Sequence, residues 1–456
     1  MRIAVVGGGV SGLTAAYRLR TRFGDGATIT VFEAGDSLGG KLRTIELAGR
    51  RFDVGAEAFI VRRPEALELA GEIGLELTHP TGARSRLRAG GTQVGMPGGT
   101  VMGIPGSAEA VAGLLSAEGR RQVAAEGGLP PVVLTGDVSL GRLLRERFGD
   151  ELVDRLVDPL LGGVYAGGAD GLGLRATLPG LAKALDSGAA TLTAAAASQL
   201  PASPNPGPVF GTLPTGLGTL IDRLAELGKP EIRLSTLVTG LRRRAGGWTL
   251  ELTGEAVDVD AVLLAVPAPA ARRLLEPVVP AASAALGEVE LASMAVVALA
   301  FPPGTALPDA SGVLIGAKER YPDGSPPAAK AFTFSSRKWG HLGGGPVLVR
   351  GSVGRFGEPG ALRADDDELA RLVRADLAEL AGVTAQPVDV AVMRWGGGLP
   401  QYGVGHLDLV ERVERAVAGV PGLEITGATF HGVGIPACVG AATRAASRIT
   451  SGAVRG

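Results

Sequence analysis

Cysteine is almost missing from this chain: there is one, Cys438, in 456 residues. A lone thiol excludes an internal disulfide and a thiolate cage for a metal ion. Histidine is scarce as well. His79, His341, His406 and His431 are scattered, and none has a Ser or Cys partner at a spacing suited to nucleophilic catalysis. Each is read as structural, and no metal site is expected. Neither sign of charge dominates, with 45 Lys and Arg against 46 Asp and Glu, interspersed, for a formal net charge of −1. That balance excludes the electrostatic footprint of a nucleic-acid binder or of a protein held on an anionic membrane surface. No uninterrupted apolar run is long enough to span a bilayer, so at most peripheral membrane contact is expected. Aromatic residues make up only 4%, with three Trp and four Tyr.

What is present belongs to a folded chain too long for one ordinary core, so two or three domains are expected. Glycine is abundant, at 72 residues. One stretch stands out: RWGGGLPQYGVGH, residues 394–406, concentrates a rare Trp, a rare Tyr, three consecutive glycines, a Pro and a His. A core strand is not expected here, because glycines give nothing to pack and Pro removes a ladder donor. Bare backbone around Trp395 suits a chain passing close to a flat ligand. Pro400-Gln401-Tyr402 would then turn it back toward a helix over 405–417.

The N-terminus begins MRIAVVGGGVSGLTAAYRL. A basic residue before an apolar run resembles a signal peptide, but no small-residue cleavage site follows cleanly. Read as mature structure, it predicts a cytoplasmic protein. Residues 3–6 form a short buried strand, and a helical pattern starts after Gly7, Gly8, Gly9, Val10, Ser11 and Gly12. This is G-x-G-x-x-G in its required strand–turn–helix setting. Gly7 would make the tight turn, Gly9 would let backbone approach a pyrophosphate, and Gly12 would let helix and sheet close up. The helix N-terminus, with free N–H groups and a positive dipole end, would receive the pyrophosphate. A second strand over 28–32 ends in Glu33, 21 residues past Gly12, suited to accept hydrogen bonds from a ribose diol.

After Glu33 and Ala34 the chain reads GDSLGGKLRT, with a second glycine pair at Gly39 and Gly40 followed by Lys41. This resembles the extended motif of amine-oxidase-type flavoproteins with two dinucleotide-binding domains, in which the second pair runs along the FAD diphosphate. RRFDVGAEAF resembles their turn beside the flavin ring, which makes Gly55, Ala56, Glu57 and Ala58 candidate contacts. The resemblance implies FAD, bound non-covalently, with Cys438 a small buried residue.

Further motifs narrow the resemblance. VDPLLGGVYAGGADGLGLRATLP (157–179), FGTLPTGLGTLIDRLAE (210–226), IRLSTLVTGL (232–241), FSSRKWGH (334–341), VLVRGSVGRFGE (347–358), the 394–406 stretch and ITGATFHGVGIPACVGAA (425–442) resemble, in order, segments of the oxygen-dependent porphyrinogen oxidases. Phe430 stands where that family more often has Tyr. GGK at 39–41 and MPGGTVMGIP at 96–105 are similar to the members acting on coproporphyrinogen III; protoporphyrinogen IX is the alternative substrate. The implied activity is oxidation of a porphyrinogen by molecular oxygen in haem biosynthesis, removing six electrons and forming peroxide, with a downstream haem-pathway chelatase as a partner for the product. Residue by residue, the resemblance places the Gly163 carbonyl on the macrocycle N–H groups and the Val238 main chain on the adenine. Trp395 and the Val433, Gly434 and Ile435 backbone fall on the isoalloxazine, where the following helix dipole could stabilise charge on the reduced ring. No side-chain acid or base is identified. Substrate carboxylates call for cations near the pocket mouth, and Arg62, Arg63 and Arg175 are the candidates.

These placements predict an α/β chain: a discontinuous Rossmann-like FAD-binding domain, an α+β substrate domain on an antiparallel sheet, and a helical subdomain. The FAD-binding parts would be 1–88, 206–275 and 390–456, the helical substrate and membrane-side part 89–205, and the sheet domain 276–389. The rival readings are a flavin amine oxidase, which needs an aromatic cage that four Tyr scarcely supply, and a non-catalytic module on the same fold.

Overall fold

A computed structural model describes residues 1–202 and 207–453. The Pro- and Gly-rich stretch QLPASPNPGPV, 199–209, which reads as a linker, lies partly outside the described residues.

Five parallel strands form one sheet in the order Glu231–Arg233, Thr28–Phe32, Arg2–Val6, Ala261–Leu264 and Leu423–Ile425. Alternation of side chains explains why these strands are apolar throughout. Ile3, Val5, Ile29, Val31 and Leu263 pack on one face with the helices Val10–Phe23, Gly218–Gly228 and Ile435–Ala453. Ala4, Val6, Phe32, Val262 and Leu264 pack on the other, under a small antiparallel sheet (Val238–Arg244, Gly247–Leu252, Ala256–Val259) and the helices Ala268–Leu275, Pro280–Leu286 and His406–Ala418. The strands run parallel, so the helices that follow Arg2–Val6 and Leu423–Ile425 both start at the same sheet edge. Strand order reverses there, which is where open α/β sheets leave a crevice.

A seven-stranded sheet lies alongside, in the order Asp389–Pro400, Leu291–Phe301, Val347–Val353, Ala329–Thr333, Gly312–Ile315, Arg86–Ala89 and Thr92–Gly95. It is antiparallel except where Gly312–Ile315 runs parallel to Arg86–Ala89. Helix Asp366–Ala381 covers one face. The other face presents Val296, Ala298, Ala300 and Leu348 to Phe52 and Val54. Short helices between residues 108 and 197 make a third layer around Leu144, Phe148, Leu156 and Leu161.

Two domain expectations are corrected. The 394–406 stretch begins in a strand, though not a core one: Asp389–Pro400 is twelve residues long and pairs with Leu291–Phe301 through a bulge between Ala292 and Met294. It is an edge strand, where glycines and a terminal Pro cost little pairing. The boundaries at 88/89 and 389/390 both cut strands of the seven-stranded sheet, because pairing partners distant in sequence, not local composition, decide that sheet's membership. Residues 280–286 pack with the parallel-sheet layer rather than with the 276–389 sheet.

Candidate functional site

The crevice at the parallel-sheet edge is built of glycines, each constrained differently. Gly7 has φ +107, and a Cβ there would lie 2.5 Å from the Ala265 carbonyl oxygen. A Cβ on Gly12 would lie 1.9 Å from the Gly7 carbonyl oxygen, so helix and strand can close only on hydrogen. Gly9 is open, with nothing nearer to its Cβ position than Gly39 O at 4.0 Å. Val10 and Ser11 begin the helix beside it. The second glycine turn is stitched to the first: Gly39 N donates to Gly8 O at 2.9 Å, and Gly40, φ +55, rests against Gly9. Two turns read separately in the sequence are one surface lined with backbone.

Glu33 stands at the end of the second strand. Its two carboxylate oxygens accept the N–H groups of Gly8 and Gly35, each at 2.7 Å, with Ala34 exposed between them. Ser235 N and Thr236 N donate to Gly35 O and Glu33 O, laying the chain that leads to buried Val238 over this corner. Lys41 is the cation of the cradle; burial pushes its amine down, against the opposing effect of Cys438 nearby. Cys438 is itself buried, its thiol pushed up by burial.

The turn Gly55, Ala56, Glu57, Ala58 runs under the seven-stranded sheet. Ala56 N donates to Lys41 O at 2.9 Å, and a Cβ on Gly55 would lie 2.0 Å from that same oxygen. Trp395 reaches in from the edge strand, its Nε1 donating to Val54 O at 3.1 Å. The Glu57 carboxylate is enclosed by Lys338 and by Arg350 Nη1, the latter at 3.1 Å, while Arg350 Nη2 donates to Gly55 O at 2.6 Å. Burial would raise the Glu57 pKa, but Lys338 and Arg350 outweigh it and hold the carboxyl at about 2. The sequence reading missed Lys338 and Arg350. Their signal was present: a charge at an inward position of VLVRGSV needs a buried partner.

The third wall is the helix Asp158–Tyr165. Its last turn leaves four carbonyls without intrahelical partners. Ala166 N takes that of Gly162 at 3.1 Å, and Gln401 Nε2 takes that of Tyr165 at 2.7 Å. The Gly163 carbonyl has no such partner among the described residues, and Gly163 is exposed. Tyr402 ties this wall to the C-terminal turn. Its ring lies 5.7 Å from that of Tyr165 and stacks on His406 at 3.9 Å, and its hydroxyl donates to Ala428 O and accepts from Gly432 N. Beyond Gly432 come Val433, Gly434 and Ile435, where the last helix begins. The first bond there, Cys438 N to Gly434 O, leaves the preceding N–H groups free.

The arginine candidates part company. Arg63 pairs with Glu65 and lies beside Gly432, at the C-terminal turn. Arg62 is exposed just before it. The guanidinium of Arg175 is taken up by Asp186 and the carbonyl of Gly136, within the helical layer.

Two helix N-termini, a groove lined with backbone, a carboxylate at the end of the second strand and an indole beside a glycine turn fit FAD, which is the cofactor; when bound it accepts hydride equivalents and passes electrons on. Among known proteins the chain is 46% identical to the coproporphyrinogen III oxidase of Mycobacterium tuberculosis over 98% of this chain and 96% of that one. It is 32% identical to the coproporphyrinogen III oxidase of Bacillus subtilis over 96% and 95%. A crystal structure from Exiguobacterium sp. 255-15, assigned as a protoporphyrinogen oxidase, superposes with a TM-score of 0.87 at 32% identity, covering 100% of this chain and 99% of that one. The model of one family spans residues 10–450, from the first glycine helix to the last. Cradle and comparisons agree: the chain is an α/β oxidoreductase belonging to the flavin containing amine oxidoreductase family.

Proposed function

We propose that this chain oxidises coproporphyrinogen III to coproporphyrin III in haem biosynthesis, with FAD held non-covalently and oxygen reduced to peroxide. The observation that carries the reading is the join between the Gly163 helix and the C-terminal turn before Val433. Gln401 bonds Tyr165 O while the Tyr402 hydroxyl bonds Ala428 O and Gly432 N, so the helix end with its unengaged carbonyl is tied to that turn. A flat macrocycle can meet that carbonyl because glycine offers no Cβ in its way. The Gly163 oxygen then accepts pyrrole N–H bonds, and the macrocycle carbons present their hydrogens to the ring. The walls exclude water and supply position.

The relatives from M. tuberculosis and B. subtilis bear the same activity in their names, which supports coproporphyrinogen over protoporphyrinogen. In this reading the parallel-sheet domain is a Rossmann-like FAD domain assembled from discontinuous pieces. Val238 backs the adenine, Trp395 and residues 433–435 line the isoalloxazine, and Arg62 and Arg63 stand at the substrate mouth. The protein works in the cytoplasm with at most peripheral membrane contact, and a chelatase takes its product. No helix among the described residues is long and apolar enough to cross a membrane.

An aromatic cage for an amine is disfavoured by the tyrosines. Tyr17 is bonded to Glu72 and Tyr321 to Asp376, while Tyr165 and Tyr402 pack on each other. The test is anaerobically prepared coproporphyrinogen III against protoporphyrinogen IX, following porphyrin fluorescence and peroxide. Faster turnover of protoporphyrinogen overturns the substrate assignment, and turnover of neither overturns the function.

A further inference from the structure

Two cations without carboxylate partners lie together behind the Gly163 helix. Lys330 sits in the strand Ala329–Thr333, at the irregularity where Ala329 and Ala331 face consecutive residues, Val353 and Ser352. It is only 4% exposed, and its Nζ has no hydrogen-bond partner. Arg355 follows the neighbouring strand, after Gly354 at φ +98. It donates Nη2 to Ile315 O at 2.8 Å, and its Nη1 lies 3.3 Å from where a Cβ on Gly162 would be. Among the described residues no carboxylate comes within 4.0 Å of either group. Asp158 and Glu358 act on Arg355 only at longer range. Asp158 is already engaged by Ala169 N at 2.7 Å and faces Arg145.

Burying an unpaired cation is unfavourable, and a second cation beside it makes matters worse. Burial first, and Arg355 second, pull the Lys330 amine down to about 7. An incoming anion would reverse both effects. The strand bearing Lys330 and the helix bearing Gly163 are packed together.

We propose that Lys330 and Arg355 form a carboxylate clamp that holds one propionate of the porphyrinogen while the Gly163 carbonyl holds its N–H groups. This rests on the porphyrinogen reading above and adds a substrate-binding pair to it, apart from Arg62 and Arg63. A propionate would bridge the ammonium and the guanidinium by charge-assisted hydrogen bonds, which are about twice as strong as neutral ones.

Lys330→Met decides the matter, because Met nearly matches the stem in volume. The flavin-loaded protein is titrated with coproporphyrin III, and turnover of coproporphyrinogen III is measured in parallel. The clamp predicts a Kd and a KM about 10-fold to 100-fold higher, with kcat within about twofold. Lys330→Arg restores binding. Thermal stability without substrate is unchanged or raised, since an unpaired buried charge has gone. If Lys330→Met binds coproporphyrin III as the wild type does, the clamp is wrong. Should Lys330→Met fail to fold, Lys330→Gln is titrated instead, with the same outcomes. Wild-type protein that neither binds coproporphyrin III nor turns over its porphyrinogen defeats the functional reading itself, and only a working wild type tests the clamp.

Discussion

The indole N–H of Trp395 donates to the carbonyl of Val54 at 3.1 Å across 341 residues of sequence. One end of this bond is on the edge strand of the seven-stranded sheet, and the other leads into the turn Gly55–Ala58. The same turn is held from the middle of the sheet by Arg350, through Gly55 O and Glu57. The Gly55–Ala58 turn is thus fastened by the layer that covers it. Trp395→Phe keeps the ring and removes the donor. It should cost about 1 kcal/mol of stability and weaken FAD retention, measured as the flavin-to-protein absorbance ratio after gel filtration. Full flavin occupancy in both Trp395→Phe and Trp395→Ala would show that the indole does not support the cofactor.

Glu57→Gln leaves Lys338 and Arg350, both part-buried, without their counter-charge, and chemical denaturation should show a loss of about 1–3 kcal/mol. The pH dependence follows from the same trio. The folded carboxyl, at about 2, titrates below its ordinary 4.5. Its stabilisation is therefore full above the unfolded value and fades as pH falls from there toward 2. Glu57→Gln should remove that part of the acid dependence, and an unchanged acid limb would exclude Glu57 as its source.

The glycines of the first turn separate fold from ligand. Gly12→Ala puts a methyl 1.9 Å from the Gly7 carbonyl oxygen and should lower the melting temperature even of flavin-free protein. Gly9→Ala meets nothing within the protein nearer than 4.0 Å, so the melting temperature of the flavin-free form should hold while FAD binding falls at least tenfold. Normal FAD affinity in Gly9→Ala would displace the pyrophosphate from this turn.

Arg62 is exposed, and Arg63 beside it is paired with Glu65. If Arg62 meets a substrate carboxylate, Arg62→Ala should raise KM for the tetracarboxylate several-fold more than for the dicarboxylate. Equal effects on the two substrates in steady-state assays would take Arg62 out of the pocket.

Much of the cradle could be read before any fold was known. The requirements on Gly7, Gly9, Gly12 and Glu33 are local: a tight turn, an open approach and a carboxylate at a strand end lie within one strand–turn–helix unit. The third wall was only partly readable. Its glycine could be singled out, but the side chain that holds the end of its helix is Gln401, which bonds the Tyr165 carbonyl from 236 residues away.

By itself, then, the sequence determined the two glycine turns, the acidic strand end and the last helix, because each rests on backbone geometry that short spacing specifies. Tertiary structure alone decided that Trp395 lies on an edge strand rather than in a loop, since an edge tolerates glycines that a central strand would not. It alone brought Lys338 and Arg350 to Glu57, and Lys330 to Arg355. Charge pairing in a buried space depends on which strands become neighbours, and strands separated by hundreds of residues carry no local mark of that choice.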